Sequence, residues 1–386
     1  MKKKLLALAV AGAFVAPVAM ADSGNVTIYG QVNASVVFAD SDDAKVGTTK
    51  GTGSTHIASD QSRLGLKGSE DLGGGTSAIW QIESSITADG ATGTLAARNT
   101  FVGLAGESWG DVKLGNMDSP YKSSTRGLDV FGDTVADNRS IVGQIGTTGQ
   151  TLDARNTSSL TYTSPDLSGF KVSAQYVAAA ETATTSPTNK GSNYSLSLAY
   201  NAGPITAAAA VVQIKGGSAS TGTGAVAATA TSSTFPVSGA TADDKIRGLR
   251  LGGGYKMDAI TVNAVFERIE SDITTLGARV DTQKSNSFYL GAKFAVSGSD
   301  AVKVAYTRRG EVGEGANKVA NSQVSQWALG YDHAMSKRTS VYALYTKLDN
   351  DNGSSMGLSQ ASSATPVAAG AGAGPSAFAL GVKHSF

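Results

Sequence analysis

The sequence contains no cysteine, so disulfides, thiol chemistry and cysteine-ligated metals are excluded and only backbone pairing and packing can hold the fold. Its three histidines, His56, His333 and His384, show no metal-ligand spacing. Nor is there a cation-binding loop: a calcium register opening at Asp349 would need glycine at 354 and glutamate at 360, where Ser354 and Gln360 stand. The Gly252-Gly-Gly254 run is flanked by strand pattern with no following helix, so it lacks the setting of a phosphate loop. No cofactor is expected. Charge of one sign is missing too, with 32 Lys+Arg against 31 Asp+Glu, which gives no basis for nucleic-acid binding. Prolines number only 8, and beyond residue 21 no apolar run approaches the roughly 20 residues of a spanning helix.

What is present begins with Lys2, Lys3 and Lys4, an apolar run from Leu5 to Val18, and the small-residue pattern Ala19-Met20-Ala21. This is the layout of a secretory signal peptide, and the expected division is a cleaved signal at 1–21 and a single domain at 22–386. Without its three signal lysines the chain has 29 basic residues against 31 acids, a nearly neutral balance.

The rest of the chain alternates. In Val26–Phe38, residues Val26, Ile28, Val32, Ala34 and Val36 share one face, and Thr27, Tyr29, Gln31, Asn33 and Ser35 the other. The pattern recurs at Phe170–Tyr176, Tyr194–Tyr200, Ile260–Phe266 and Trp327–Tyr331. Such segments predict strands with an apolar exterior and a wet interior. Seven short turns alternate with eight long polar loops, at about 39–54, 87–96, 117–154, 179–192, 215–245, 271–284, 309–322 and 349–375. They predict an all-β, transmembrane antiparallel barrel of 16 strands, turns on one side and loops on the other. Aromatics at segment ends, among them Phe101, Tyr162, Phe170, Tyr255, Phe288 and Trp327, are expected on the outer face as interfacial girdles. At the far end Phe378, Leu380, Val382, His384 and Phe386 share one strand face, the form of a closing strand that leaves no open edge in lipid, and Phe386 is expected to act as an assembly signal.

Parity also sorts the charges. Leu64 and Leu66 facing lipid would turn Arg63 and Lys67 inward, and Leu160 and Tyr162 would do the same for Arg155. Arg98 falls opposite Phe101, and Glu83 opposite Trp80 and Ile82. An arginine facing lipid at mid-bilayer costs about 2–4 kcal/mol, which favours the inward assignment. In the long third loop, Asp129, Asp133 and Asp137 surround an apolar Phe131 that would anchor the loop to a wall.

The segments Val26-Thr-Ile-Tyr-Gly30, Ser62-Arg-Leu-Gly-Leu-Lys-Gly-Ser-Glu-Asp-Leu-Gly-Gly-Gly75, Ala97-Arg-Asn-Thr-Phe-Val-Gly-Leu104 and Tyr162-Thr-Ser-Pro-Asp-Leu-Ser-Gly-Phe170, with the terminal phenylalanine, resemble the Gram-negative general porins. The resemblance implies a trimeric, 16-stranded outer-membrane diffusion channel whose long third loop folds into the pore. It implies that Arg63, Arg98 and Arg155 face Glu83, Asp129, Asp133 and Asp137 across a constriction, with a weak preference for anions. The partners it implies are ions and small hydrophilic solutes, outer-membrane lipid, the outer-membrane assembly machinery and two further copies of the chain. A barrel serving as an adhesin or structural anchor through its surface loops is the competing reading.

Overall fold

The computed structural model describes residues 26–90, 95–145, 150–178, 192–215, 245–275, 278–313, 318–358 and 370–386. The signal-peptide segment 1–21 lies outside the described residues, as does most of the loops at 179–192 and 215–245. The strands in chain order are β1 (Val26–Asp40), β2 (Ser54–Ser59), β3 (Arg63–Asp71), β4 (Thr76–Ser85), β5 (Thr100–Gly106), β6 (Gly110–Asp118), β7 (Gln144–Ile145), β8 (Gln150–Thr151), β9 (Arg155–Thr163) and β10 (Phe170–Ala178). They continue as β11 (Ser192–Ala202), β12 (Ile205–Lys215), β13 (Lys245–Met257), β14 (Ile260–Thr275), β15 (Ala278–Ala295), β16 (Asp300–Arg309), β17 (Val324–Ala334), β18 (Thr339–Asn350) and β19 (Ser376–Ser385).

Apart from the small β7–β8 pair, these strands form one antiparallel sheet that closes on itself. Residues 31–40 of β1 pair with β19, from Gln31 opposite Ser385 to Asp40 opposite Ser376. On its other edge β1 pairs with β2 and then β3, which form a single span broken at Asp60–Ser62. With that span counted once, the described residues make a closed 16-stranded barrel. Each strand is joined by backbone hydrogen bonds to a neighbour on both sides, the condition for crossing hydrocarbon with strands.

Burial is inverted relative to a water-soluble protein. Leu104, Leu196, Leu290, Leu329 and Leu380 lie 46–56% exposed on the outer face, while Asn33, Ser159, Gln326 and Thr346 are buried inside. Leaving one such leucine in water forgoes roughly 1.5–3 kcal/mol, so this surface is stable only against lipid. Cross-strand aromatic pairs lie along it, including Phe170 with Tyr200 at 4.5 Å and Tyr176 with Tyr194 at 5.3 Å between ring centroids.

Two expectations are corrected. Phe101 faces the lumen, not the lipid: Val102 and Leu104 take the outer face of β5, and the Lys113 ammonium lies 5.4 Å from the Phe101 ring centre. Residues 271–284 are mostly a ladder and not a loop. Ile273 pairs with Val280 and Thr275 with Ala278, beyond a bulge between Ser271 and Ile273, because β-branched residues extend the hairpin even where hydropathy is low.

The apolar core lies within the barrel. Leu128, Phe131, Val135, Ile141 and Val142 of the third loop (119–154) pack against Val37, Val265, Ala328, Leu344 and Ala379 of the inner wall. A second cluster joins Tyr121, Ile145 and Leu152 to Ala210, Val212, Ile246 and Ile269.

Candidate functional site

The third loop enters the lumen through a short helix, α1 (Pro120–Ser123), favoured by proline at its start and by Ser119, whose side chain accepts from the Lys122 amide. From there it is fastened in sequence to the wall. The Tyr121 hydroxyl donates to Glu267 at 2.6 Å, and the Gly143 amide donates to the same carboxylate at 2.6 Å. Arg250 completes the first anchor, donating from Nε to Glu267 at 3.0 Å, reaching Asp153 at 2.8 Å and stacking 4.2 Å above the Tyr121 ring. Gly248 makes room: a Cβ there would stand 2.6 Å from the Tyr121 hydroxyl.

The second anchor is Phe131, fully buried, with the Lys303 ammonium 4.8 Å from its ring centre. Gly330 lies beneath it, where a Cβ would come within 2.7 Å of the ring. Asn263 donates to the Leu128 carbonyl at 2.8 Å, and Asn33 to the Asp133 carbonyl at 3.0 Å. The loop therefore lies along the arc of wall from β11 round to β1. Arg63, Arg98 and Arg155 stand on the remaining arc, at the start of β3, in the 86–99 loop and at the start of β9.

Arg63 reaches the loop itself, with Nη1 3.3 Å from Asp133 and 3.3 Å from the Gln61 carbonyl. Gln61 and Asp133 both hold positive φ, 54° and 62°, a region in which side-chain-bearing residues are uncommon and glutamine is strained. Arg98 donates from Nε to Glu83 at 2.5 Å and from Nη1 to the Gln61 side chain at 3.0 Å. Glu83 also accepts from the Tyr29 hydroxyl at 2.9 Å; it faces inward as parity requires, but because β4 is the neighbour of β3 it sits on the arginine side of the lumen and not across from the arginines. Arg155 is buried, bonded to Asp118 at 3.0 Å and to the Asn99 side chain at 3.0 Å.

The three loop carboxylates differ. Asp133 is partly exposed, at 22%, and lies within reach of Arg63, Arg126 and Arg139. Asp137 is fully buried, bridged by Arg126 at 3.0 Å and Arg139 at 2.9 Å. Burial alone would raise its pKa, but the two guanidiniums overcome this and hold it well below the carboxylate range. Asp129 accepts from the Phe131 and Asn138 amides at 2.9 Å each. Burial, followed by the negative charge of Asp137, pushes its pKa up to about 6. Asp129 and Asp137 thus shape the loop from within, and Asp133 presents its carboxylate at the loop surface.

Sequence reading of the loop weighed its acids and passed over Lys122, Arg126 and Arg139. It also passed over Arg250 and Glu267, although both alternate with the outward Leu249, Leu251 and Phe266 and so must face inward. The left-handed Gln61 has no signature in sequence.

A family model described as Gram-negative porin matches residues 7–353. The chain is 30% identical to outer membrane porin protein 32 of Delftia acidovorans over 100% of both sequences. It is 29% identical to the major outer membrane protein P.IB of Neisseria lactamica, over 94% of this chain and 98% of that one. Among solved structures, the anion-selective porin from Comamonas acidovorans superposes with a TM-score of 0.73 at 25% identity, over 94% of this chain and 99% of the other.

Proposed function

Because the chain belongs to the Gram-negative porin family, and is therefore a passive diffusion channel of the outer membrane for ions and small solutes, we propose that its constriction lies between Arg63, Arg98 and Arg155 on the wall and Asp133 on the loop, and that it favours anions. The observation carrying this reading is the Arg63–Asp133 contact of 3.3 Å, which brings wall and loop together beside two further arginines. Arg126, 24% exposed, adds positive charge from the loop side. Positive groups in a narrow, low-dielectric passage focus field lines and raise the local anion concentration. The anion selectivity of the Comamonas acidovorans relative points the same way. Glu83 and Asp137 serve this reading as partners that fix the arginines, and Asp129 as the former of the loop turn.

Replacing Arg63, Arg98 and Arg155 together by serine is expected to move the reversal potential in a salt gradient toward cations, most strongly at low ionic strength where screening is least. Asp133→Asn is expected to move it the other way. A triple variant that forms folded channels with unchanged selectivity would refute the assignment.

The assembly proposed is a homotrimer seated in outer-membrane lipid and inserted by the outer-membrane assembly machinery. The outer face of β1, with its small apolar Ala34 and Val36, supports close packing between copies. Native mass spectrometry in mild detergent is expected to give three times the protomer mass; a monomer mass alone would exclude the trimer.

A further inference from the structure

Below the third loop, on the side of the short turns, a cavity of about 750 Å³ opens between β4–β6, β9–β14 and the underside of the loop. Its basic lining residues are Lys113, Lys171 and Lys256. Lys113 is held in place by Asp111 at 2.7 Å and by the Phe101 ring. Lys171 and Lys256 have no ion pair among the described residues. The register places Lys256 and Lys293 on either side of Thr261, so the basic row extends one strand beyond the cavity and ends at Lys303, which is paired with Asp332 at 2.9 Å. The acid in the lining is Asp118, whose charge is taken up by Lys122 at 2.9 Å and Arg155 at 3.0 Å. The ceiling is mixed: Pro120 and Leu128 of the loop, with Met117 beside them, form an apolar patch bordered by Ser123, Ser124 and Gly127.

Net positive charge facing an apolar patch is a different chemistry from the all-polar arginine wall above it. We infer that this vestibule is a second, low-affinity station that binds small organic anions, holding a carboxylate at Lys171 and Lys256 and the apolar body of the solute beneath Leu128 and Pro120. The inference rests on the reading of the chain as an open channel, and it concerns a place and a selectivity separate from the constriction. An anion released from the arginines would pause here before reaching the periplasm, and organic anions would do so longer than chloride.

The test is block of the chloride current through channels in planar bilayers, with benzoate or acetate added to the turn side. Benzoate is expected to block saturably and at lower concentration than acetate, which carries the same charge without the ring. Lys171→Gln/Lys256→Gln is expected to raise the half-blocking benzoate concentration about five- to tenfold, the size expected from two exposed charge contacts, while the barrel remains heat-modifiable on gels. An arginine variant limited to Arg63→Ser/Arg98→Ser, which leaves the Arg155–Asp118 pair intact, should shift the reversal potential yet leave benzoate block in place. Equal block by acetate and benzoate would overturn the inference, and so would unchanged block in the lysine variant or loss of block in the arginine variant. Failure of the arginine variant to shift selectivity, with the lysine effect intact, would instead refute the proposed constriction.

Discussion

Glu267→Gln is expected to free the third loop while leaving the barrel closed. Glu267 is fully buried and accepts from Tyr121, Gly143 and Arg250. Glutamine keeps the shape but replaces one acceptor oxygen with a donor, setting donor against donor, and removes one of the two carboxylates, the other being Asp153, that neutralise the buried Arg250 guanidinium. Breaking a buried ion pair by removing one partner costs about 3–5 kcal/mol. The barrel ladders do not depend on this carboxylate, so the loss falls on loop docking. Single channels of the variant should show larger and noisier conductance, and trypsin should cut at Arg126 or Arg139, whose side chains are 24% and 11% exposed in the docked loop. Wild-type noise together with full trypsin resistance would mean that the Phe131 anchor alone holds the loop.

Barrel closure should be equally sensitive at one point. Gly30 and Phe386 exchange two backbone hydrogen bonds of 3.1 Å. A Cβ on Gly30 would stand 2.4 Å from the Arg63 carbonyl oxygen and 2.7 Å from the Phe386 ring. Gly30→Val therefore forces backbone apart where the first and last strands meet, at a cost on the order of 1–3 kcal/mol or more, and folded barrel should fall several-fold both in cells and on refolding in detergent. Phe386→Ser keeps the backbone bonds and loses only the ring. It should refold in detergent yet accumulate poorly in the outer membrane, if the aromatic is read by the assembly machinery. Wild-type levels of heat-modifiable barrel in cells carrying Phe386→Ser would remove that role.

The barrel was legible in the sequence because period-two alternation is a direct imprint of lipid on one side and water on the other. That imprint placed Arg63, Glu83 and Arg155 inward without any contact information. It failed at Phe101, where an aromatic was assigned by type although its neighbours Val102 and Leu104 fix the opposite face. It failed at 271–284, where polar but β-branched residues continue a ladder above the apolar band. The loop was harder, because its fold is decided by long-range partners. Tyr121 and Glu267 are 146 residues apart, and nothing local to either announces the other. Acids that look alike in sequence, such as Asp129 and Asp133, are separated only by what encloses them.

The contact between Arg63 and Asp133 has a mechanical side. Near both ends the backbone holds the left-handed region, at Gln61 two residues before Arg63 and at Asp133 itself, so the contact ties a turn of the wall to a turn of the loop. In the proposed constriction, an anion arriving at Arg63 would meet a guanidinium already engaged and would compete with the carboxylate for it. In that reading a substitution at Asp133 cannot change the charge of the passage without also removing a tie that joins loop to wall.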